Sequence, residues 1–322
     1  MLTNKEDAPT PVAASRGDQA GARLVLFAAL LALAIIGGFG LGRLTGGQPA
    51  TGAPASVGDP AAHSDPPGTA PHTHDGTAAG ATAPATQVGG LAVSTGGFTL
   101  VPERTTVRAG VAEQLRFRID GRDGRPVTTF ATVHDKPMHL VVVRRDLSGY
   151  QHLHPVLAPD GTWSVQLTLP SAGPWRAYAD FAAIDAAGAQ SPVTLGVDLV
   201  VAGDYAPKPV PAPATGTSVD GFTVNYQGTP KAGVTQPLLF RVTRDGAPAQ
   251  LERYLGAYGH LVVLREGDLG YVHVHPEPEL AGDAVKFWLA APSPGRYRMF
   301  LDFQVAGAVH TAEFTVTLGA AG

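Results

Sequence analysis

The chain has 322 residues, room for two or three domains, and a net charge of −4 with acidic and basic residues interspersed. No polybasic surface or nucleic-acid motif is legible, which sets nucleic acid aside as a partner. There is no cysteine. Disulfides, thiolate zinc sites, cysteine nucleophiles and the cysteine-ligated blue-copper centre are therefore excluded, and any metal must be held by His, Met, carboxylate or water.

In chain order, residues 1–23 read as a short cytoplasmic tail carrying Lys5, Arg16 and Arg23. From Leu24 to Leu41 the sequence LVLFAALLALAIIGGFGL contains no charge and is bounded by Arg23 and Arg43. At roughly 1.5 Å per residue this run approaches the ~30 Å hydrocarbon thickness, which predicts a transmembrane helix over residues 24–43. After Arg43 the next basic residue is Arg104, so the positive-inside bias puts the N-terminus in the cytoplasm and the bulk of the chain outside a cell membrane it crosses once. A cleaved signal peptide is the rival reading, and the long lead before the apolar run favours the anchor. Residues 44–95 are a linker of Gly, Ala, Pro and Thr too poor in aliphatic residues to offset the entropy of ordering. Its His63, His72 and His74 read as polar filler, with loose metal scavenging as the alternative.

Residues 96–203 form a first unit whose alternating stretches predict strands at Phe98–Pro102, Gln114–Ile119, His139–Arg144, Tyr150–Pro155, Trp163–Leu169, Trp175–Phe181 and Val193–Val201. Trp163, Val165, Leu167 and Leu169 alternate with Ser164, Gln166 and Thr168, the pattern of a strand with one face on a core and one in water. Residues 204–217 are a Pro-rich spacer, and residues 218–319 repeat the first unit: GGFTL matches DGFTV, AGVAEQLRFRI matches AGVTQPLLFRV, and PSAGPWRAYADF matches PSPGRYRMFLDF. Each unit is long enough to close its own core, so the expectation is all-β, two independent tandem β-sandwiches. The Pro-Ser-x-Gly turn before an aromatic strand resembles the corner preceding the sixth strand of immunoglobulin-like sandwiches, where an aromatic pins the bend.

The chemistry lies in a histidine pattern written twice. His139 is followed thirteen and fifteen residues later by His152 and His154, and His260 at the same offsets by His273 and His275. Neutral imidazole is the commonest side-chain metal ligand, and a His-x-His pair on a strand puts both rings on one face. With a reverse turn at Asp146–Gly149, His139 lies near the level of His154, and three imidazoles converge with a fourth position open, an arrangement both copper and zinc accept. The expectation is two metal sites, one triad per repeat, each taking a copper or zinc ion. The plain alternative is that the rings are structural and were copied by duplication. Met138 neighbours His139 and should point to the opposite face. Asp180 and Asp302 recur and either orient a His ring or pair with Arg176 or Arg298. His134 and His310 have no counterpart in the other repeat and read as structural or surface residues, and Tyr150 and Tyr271 as packing residues.

A single anchor helix, exported β-sandwiches and hairpins ending in HLHP and HVHP together resemble bacterial cell-envelope copper-handling and heavy-metal-associated proteins of immunoglobulin-like or cupredoxin-like fold. The resemblance implies a membrane-anchored extracytoplasmic protein that buffers or presents a metal ion, with an envelope protein as candidate partner. Catalysis is not expected, since no nucleophile elbow, HExxH, Gly-rich phosphate loop or carboxylate beside the HLH pair is present. The competing expectation is a tethered interaction module of two sandwiches with structural histidines.

Overall fold

The computed structural model describes residues 88–272 and 274–320. The tail at 1–23, the expected membrane helix at 24–43, nearly all of the linker and His273 lie outside the described residues. Among the described residues every regular element is a strand, and no helix is long and apolar enough to cross a membrane.

The first sandwich contains β1 (Ser94–Thr95), β2 (Phe98–Pro102), β3 (Thr106–Val107), β4 (Ala112–Asp120), β5 (His139–Arg144), β6 (Gln151–Leu153), β7 (Val156–Leu157), β8 (Thr162–Thr168), β9 (Gly173–Ile184) and β10 (Gln190–Val201). One sheet runs β1-β2-β4-β8-β7 and the other β3-β10-β9-β5-β6. Between them Leu100, Phe117 and Trp163 meet Leu140, Ala179 and Leu199 in a closed core. The strands expected from alternation are all present. The strand expected at Tyr150–Pro155 is present as the shorter β6, paired with β5, after which the chain crosses to the other sheet, where β7 pairs with β8.

The second sandwich repeats the plan with β11 (Gly216–Val219), β12 (Phe222–Gln227), β13 (Gln236–Arg244), β14 (Ala247–Pro248), β15 (His260–Arg265), β16 (Tyr271–Val272), β17 (Val274–Pro276), β18 (Ala284–Leu289), β19 (Gly295–Val305) and β20 (Ala308–Leu318). Its sheets run β11-β12-β13-β18-β17, with β14 on β13, and β16-β15-β19-β20. Both Pro-Ser-x-Gly corners are pinned in the same way: Trp175 Nε1 donates to the Ser171 carbonyl at 3.0 Å and the Tyr297 hydroxyl to the Ser293 carbonyl at 2.7 Å. In each case a buried aromatic satisfies its one polar atom on the turn it packs against.

The sandwiches are not independent. All six residues of β5 are buried, which one core cannot explain, because successive side chains on a strand point to opposite faces. Leu140 and Val142 enter the first core. Val141 and Val143 join a separate cluster with Leu147, Tyr178, Val262, Leu264, Leu269, Tyr271 and Phe300. This seam joins β5 and β9 to β15 and β19, and it is built from corresponding residues of the two repeats in exchanged roles. Tyr150 stacks on Phe300 with ring centroids 4.2 Å apart, and Tyr271 meets Tyr178 at 5.6 Å. The Tyr178 hydroxyl donates to the Leu269 carbonyl at 2.6 Å. Burying an aliphatic or aromatic side chain contributes roughly 1.5–3 kcal/mol, so the seam is a third core.

Two chain segments border the seam. Gly89 exchanges both backbone hydrogen bonds with Tyr271 of the second sandwich, at 2.8 and 3.1 Å, while the next residue, Gly90, donates to Thr194 of the first at 3.0 Å. The Pro-rich spacer is fastened too: the Lys208 amide donates to Asp146 at 2.7 Å and Arg144 to the Ala206 carbonyl at 3.0 Å.

Candidate metal centre at the seam

The hairpin β5–β6 pairs Leu140 with Leu153 and Val141 with His152, a register that continues to His139 level with His154. Since Val141 and Val143 face the seam, His139 and His152 do as well, whereas Met138 is fully buried in the first core. In the second sandwich Val262 and Leu264 face the seam, which brings His260 to the same place from the opposite side. His139 and His260 stack with centroids 5.2 Å apart and an interplanar angle of 7°. One side-chain nitrogen from each of His139, His152 and His260 lies within 4.8 Å of the other two.

The hydrogen bonds around these rings dictate where their protons sit. His139 Nε2 lies 3.0 Å from the Val133 carbonyl, which only accepts, so that nitrogen carries the hydrogen. His152 Nδ1 lies 2.8 Å from Asp302 Oδ2 and donates to it. In neutral rings the remaining nitrogens, His139 Nδ1 and His152 Nε2, are then both lone pairs, yet they face each other at 3.0 Å. Two acceptors at that distance repel unless a cation lies between or beside them. Two nitrogens bound at about 2.0–2.1 Å to one ion are roughly 2.9–3.3 Å apart across square-planar to tetrahedral angles, so the observed spacing suits a shared ion. Buried His260 Nδ1 and His154 Nε2 have no hydrogen-bond partner among the described residues, which leaves two more imidazole nitrogens available to such an ion.

Electrostatics favour the neutral forms of His139, His154 and His260. Burial, reinforced by the neighbouring His152 and His139, lowers the His154 pKa to about 3. Burial likewise lowers that of His139, and carries that of His260 well below the ordinary range. Asp302 is itself buried and accepts from His152, from the Tyr150 hydroxyl at 3.2 Å and from Thr311 Oγ1 at 2.6 Å. It therefore orients a histidine of the other sandwich, a carboxylate–histidine pairing typical of metal sites. The alternative of an arginine partner is not realised: Arg176 pairs with Asp198 and Arg298 with Glu313. Asp180 is held by Thr194 Oγ1 at 2.7 Å, the counterpart of the Thr311–Asp302 bond.

The structure brings the three histidines of the first expected triad together with one histidine of the second. His139 and His152 converge, His154 stands beside them with ring centroids 5.2 and 4.8 Å away, and the next ring is His260 from the other repeat, its centroid 4.6 Å from that of His152. His275 does not join them. Its strand β17 has crossed to the other sheet, where His275 is exposed and lies opposite Trp288. His273 lies outside the described residues. Among the described residues the cluster therefore draws on both repeats, His139 and His152 from the first and His260 from the second. Sequence reading also set aside His134, whose ring lies 6.1 Å from His139 and 5.7 Å from His260. It sits in a left-handed turn at φ 49°, and the corresponding turn of the second repeat has Leu255 at φ 58°, which is why repeat matching gave it no counterpart. His310 bonds Asp220 at 2.8 Å and packs on Phe222, a structural placement.

A search of curated proteins found no match. Among solved structures the chain is similar to the Escherichia coli adhesin FdeC (16% identity, TM-score 0.25), with 72% of this chain and 66% of that one covered. It is also similar to Escherichia coli alpha-2-macroglobulin activated by porcine elastase (15%, TM-score 0.24; 70% and 20% covered) and to the D0-D1 domain of intimin (14%, TM-score 0.21; 69% and 97% covered). The chain thus spans just under two thirds of FdeC and a fifth of the macroglobulin, and likeness at this level says nothing of function. A family model described as a domain of unknown function (DUF8832) matches residues 93–198 and again 217–320, one copy per sandwich, and the chain belongs to that family.

Proposed function

We propose that the paired sandwiches bind one transition-metal ion, copper or zinc, through His139, His152 and His260 with His154 at hand, and buffer or present it outside the cell membrane without catalysing a reaction. The observation that carries this reading is the 3.0 Å contact between His139 Nδ1 and His152 Nε2, which in neutral rings are both lone-pair nitrogens because the other ring nitrogens are committed to the Val133 carbonyl and to Asp302. All-imidazole donors suit zinc and copper. The envelope location rests on the uncharged run from Leu24 to Leu41 and its basic N-terminal flank.

The test is metal content and affinity of the full-length chain in detergent, stripped with chelator and titrated with Zn²⁺ or with copper. One ion per chain is expected, and His139→Ala, His152→Ala and His260→Ala should each weaken binding at least tenfold. Two ions per chain, one lost with each repeat's histidines, would restore the arrangement of separate triads.

A second reading, a tethered interaction module with structural histidines, is favoured by one feature: a single proton shared by His139 and His152, beside the Asp302 carboxylate, would also relieve their repulsion. It predicts no retained ion, together with a metal-free chain destabilised by His152→Ala.

A further inference from the structure

We infer that the ion is a clamp between the two sandwiches, so that metal loading fixes their docked arrangement and the segment by which the tether enters it. This rests on the metal reading above and adds a consequence that the reading alone does not require. The convergent nitrogens are divided: the first sandwich supplies His139 and His152, and the second supplies His260. The orientation of the set is divided as well, because Asp302 of the second sandwich holds His152 of the first at 2.8 Å. Neither repeat alone presents the three converging nitrogens, so an ion that uses them binds the docked pair in preference to the separated one. A ligand shifts an equilibrium by its differential affinity for the two states.

The same docking event holds the entry of the linker. The Gly89 amide and carbonyl pair with Tyr271, while the Gly90 amide reaches Thr194 and the Gly90 and Leu91 carbonyls accept from Arg176. The strap is therefore bonded to both sandwiches at once, and separation of the sandwiches with the strap left on Thr194 and Arg176 of the first must break the Gly89–Tyr271 pair. The Gly89 and Tyr271 amides are thus built-in reporters of docking. If the undocked chain does not bind, free ion at a hundred times its Kd lowers the undocked population about a hundredfold.

The experiment is hydrogen exchange on the full chain in detergent, stripped of metal and then equilibrated with Zn²⁺ at a hundred times the measured Kd, with metal content determined on the same samples. Exchange at Gly89 and Tyr271 should slow by up to about a hundredfold, and His260→Ala should abolish both the slowing and tight binding. If one ion is retained but exchange at both amides is unchanged, the clamp is wrong while the site stands. Unchanged affinity in His260→Ala would also overturn the clamp, placing the ion on the first sandwich alone. If the wild-type chain retains no ion at all, the clamp falls together with the site.

Discussion

At the scale of single residues, Asp302 has the most specific role, because it is the only carboxylate bonded to a ring of the cluster among the described residues. Removing its charge while keeping its shape should leave one ion per chain but weaken affinity by roughly 10–100-fold. Isothermal titration of Asp302→Asn reads this directly, and an unchanged Kd would reduce Asp302 to a structural acceptor for Tyr150 and Thr311. His154 supports a pH prediction for the metal-free chain. Its pKa falls to about 3 in the fold through burial, whereas an unfolded ring titrates near 6.5. Between those values the unfolded chain binds more protons, so this contribution to stability is complete above about pH 6.5 and is lost as pH falls toward about 3. Melting in chelator should therefore drop in temperature below pH 6.5, and the drop should be shallower in His154→Phe, where no proton competes. Identical pH profiles for the two proteins would mean that His154 is not buried in solution. The histidine offsets, and the level placement of His139 and His154, were legible in the sequence because a hairpin fixes both. The partner of His139 was not, since His260 lies 121 positions away and spacing within a repeat says nothing of a neighbour across a seam.

At the scale of elements, the sequence held a signal that alternation alone does not decode. HLVVVR and HLVVLR are unbroken apolar runs after the histidine, unlike the alternating stretch that became β8. Continuous runs mark strands covered on both faces. The second cover is the other sandwich, which reading each unit as self-sufficient overlooked. The turns after these strands show the same demand: Leu147 and Leu269 occupy left-handed backbone at φ 63° and 62°, a conformation costing a branched side chain about 1–2 kcal/mol, and both are buried in the seam. Burial of the side chain offsets the backbone. The repeats diverge where the strap passes. A Cβ on Gly196 would lie 1.9 Å from the Gly90 carbonyl oxygen, so only glycine admits the strap beside Arg176. At the corresponding place on β20, Glu313 pairs with Arg298 instead. Phe300→Ala probes the seam itself. The ring is fully buried and stacked on Tyr150, so the substitution should cost about 3–5 kcal/mol in urea unfolding. A loss below about 1 kcal/mol would show that the seam is not packed as a core.

At the scale of the molecule, the exchanged pairs Tyr150–Phe300 and Tyr271–Tyr178 show that the repeats meet as two subunits of a symmetric dimer would, each offering the same patch to the other. Tandem order and matching strand plans were legible because both are written along the chain. Docking was not, because it depends on which face of each strand is left apolar once its own core is filled. This arrangement predicts how a piece behaves. A chain of residues 216–322 keeps a complete core of its own but exposes Val262, Leu264, Leu269, Tyr271 and Phe300, which the intact protein buries. Apolar patches of this kind seek a partner, and the fitting one is a second copy, since two such patches can repeat the exchanged geometry with Tyr271 of each against Phe300 of the other. Light scattering at micromolar concentration should therefore give a dimer, and Phe300→Ala in this fragment should return it to monomer. A stable, cooperatively melting monomer before any substitution would mean that the patch tolerates water, and that the docked seam depends on the linker and the histidine cluster rather than on its apolar core.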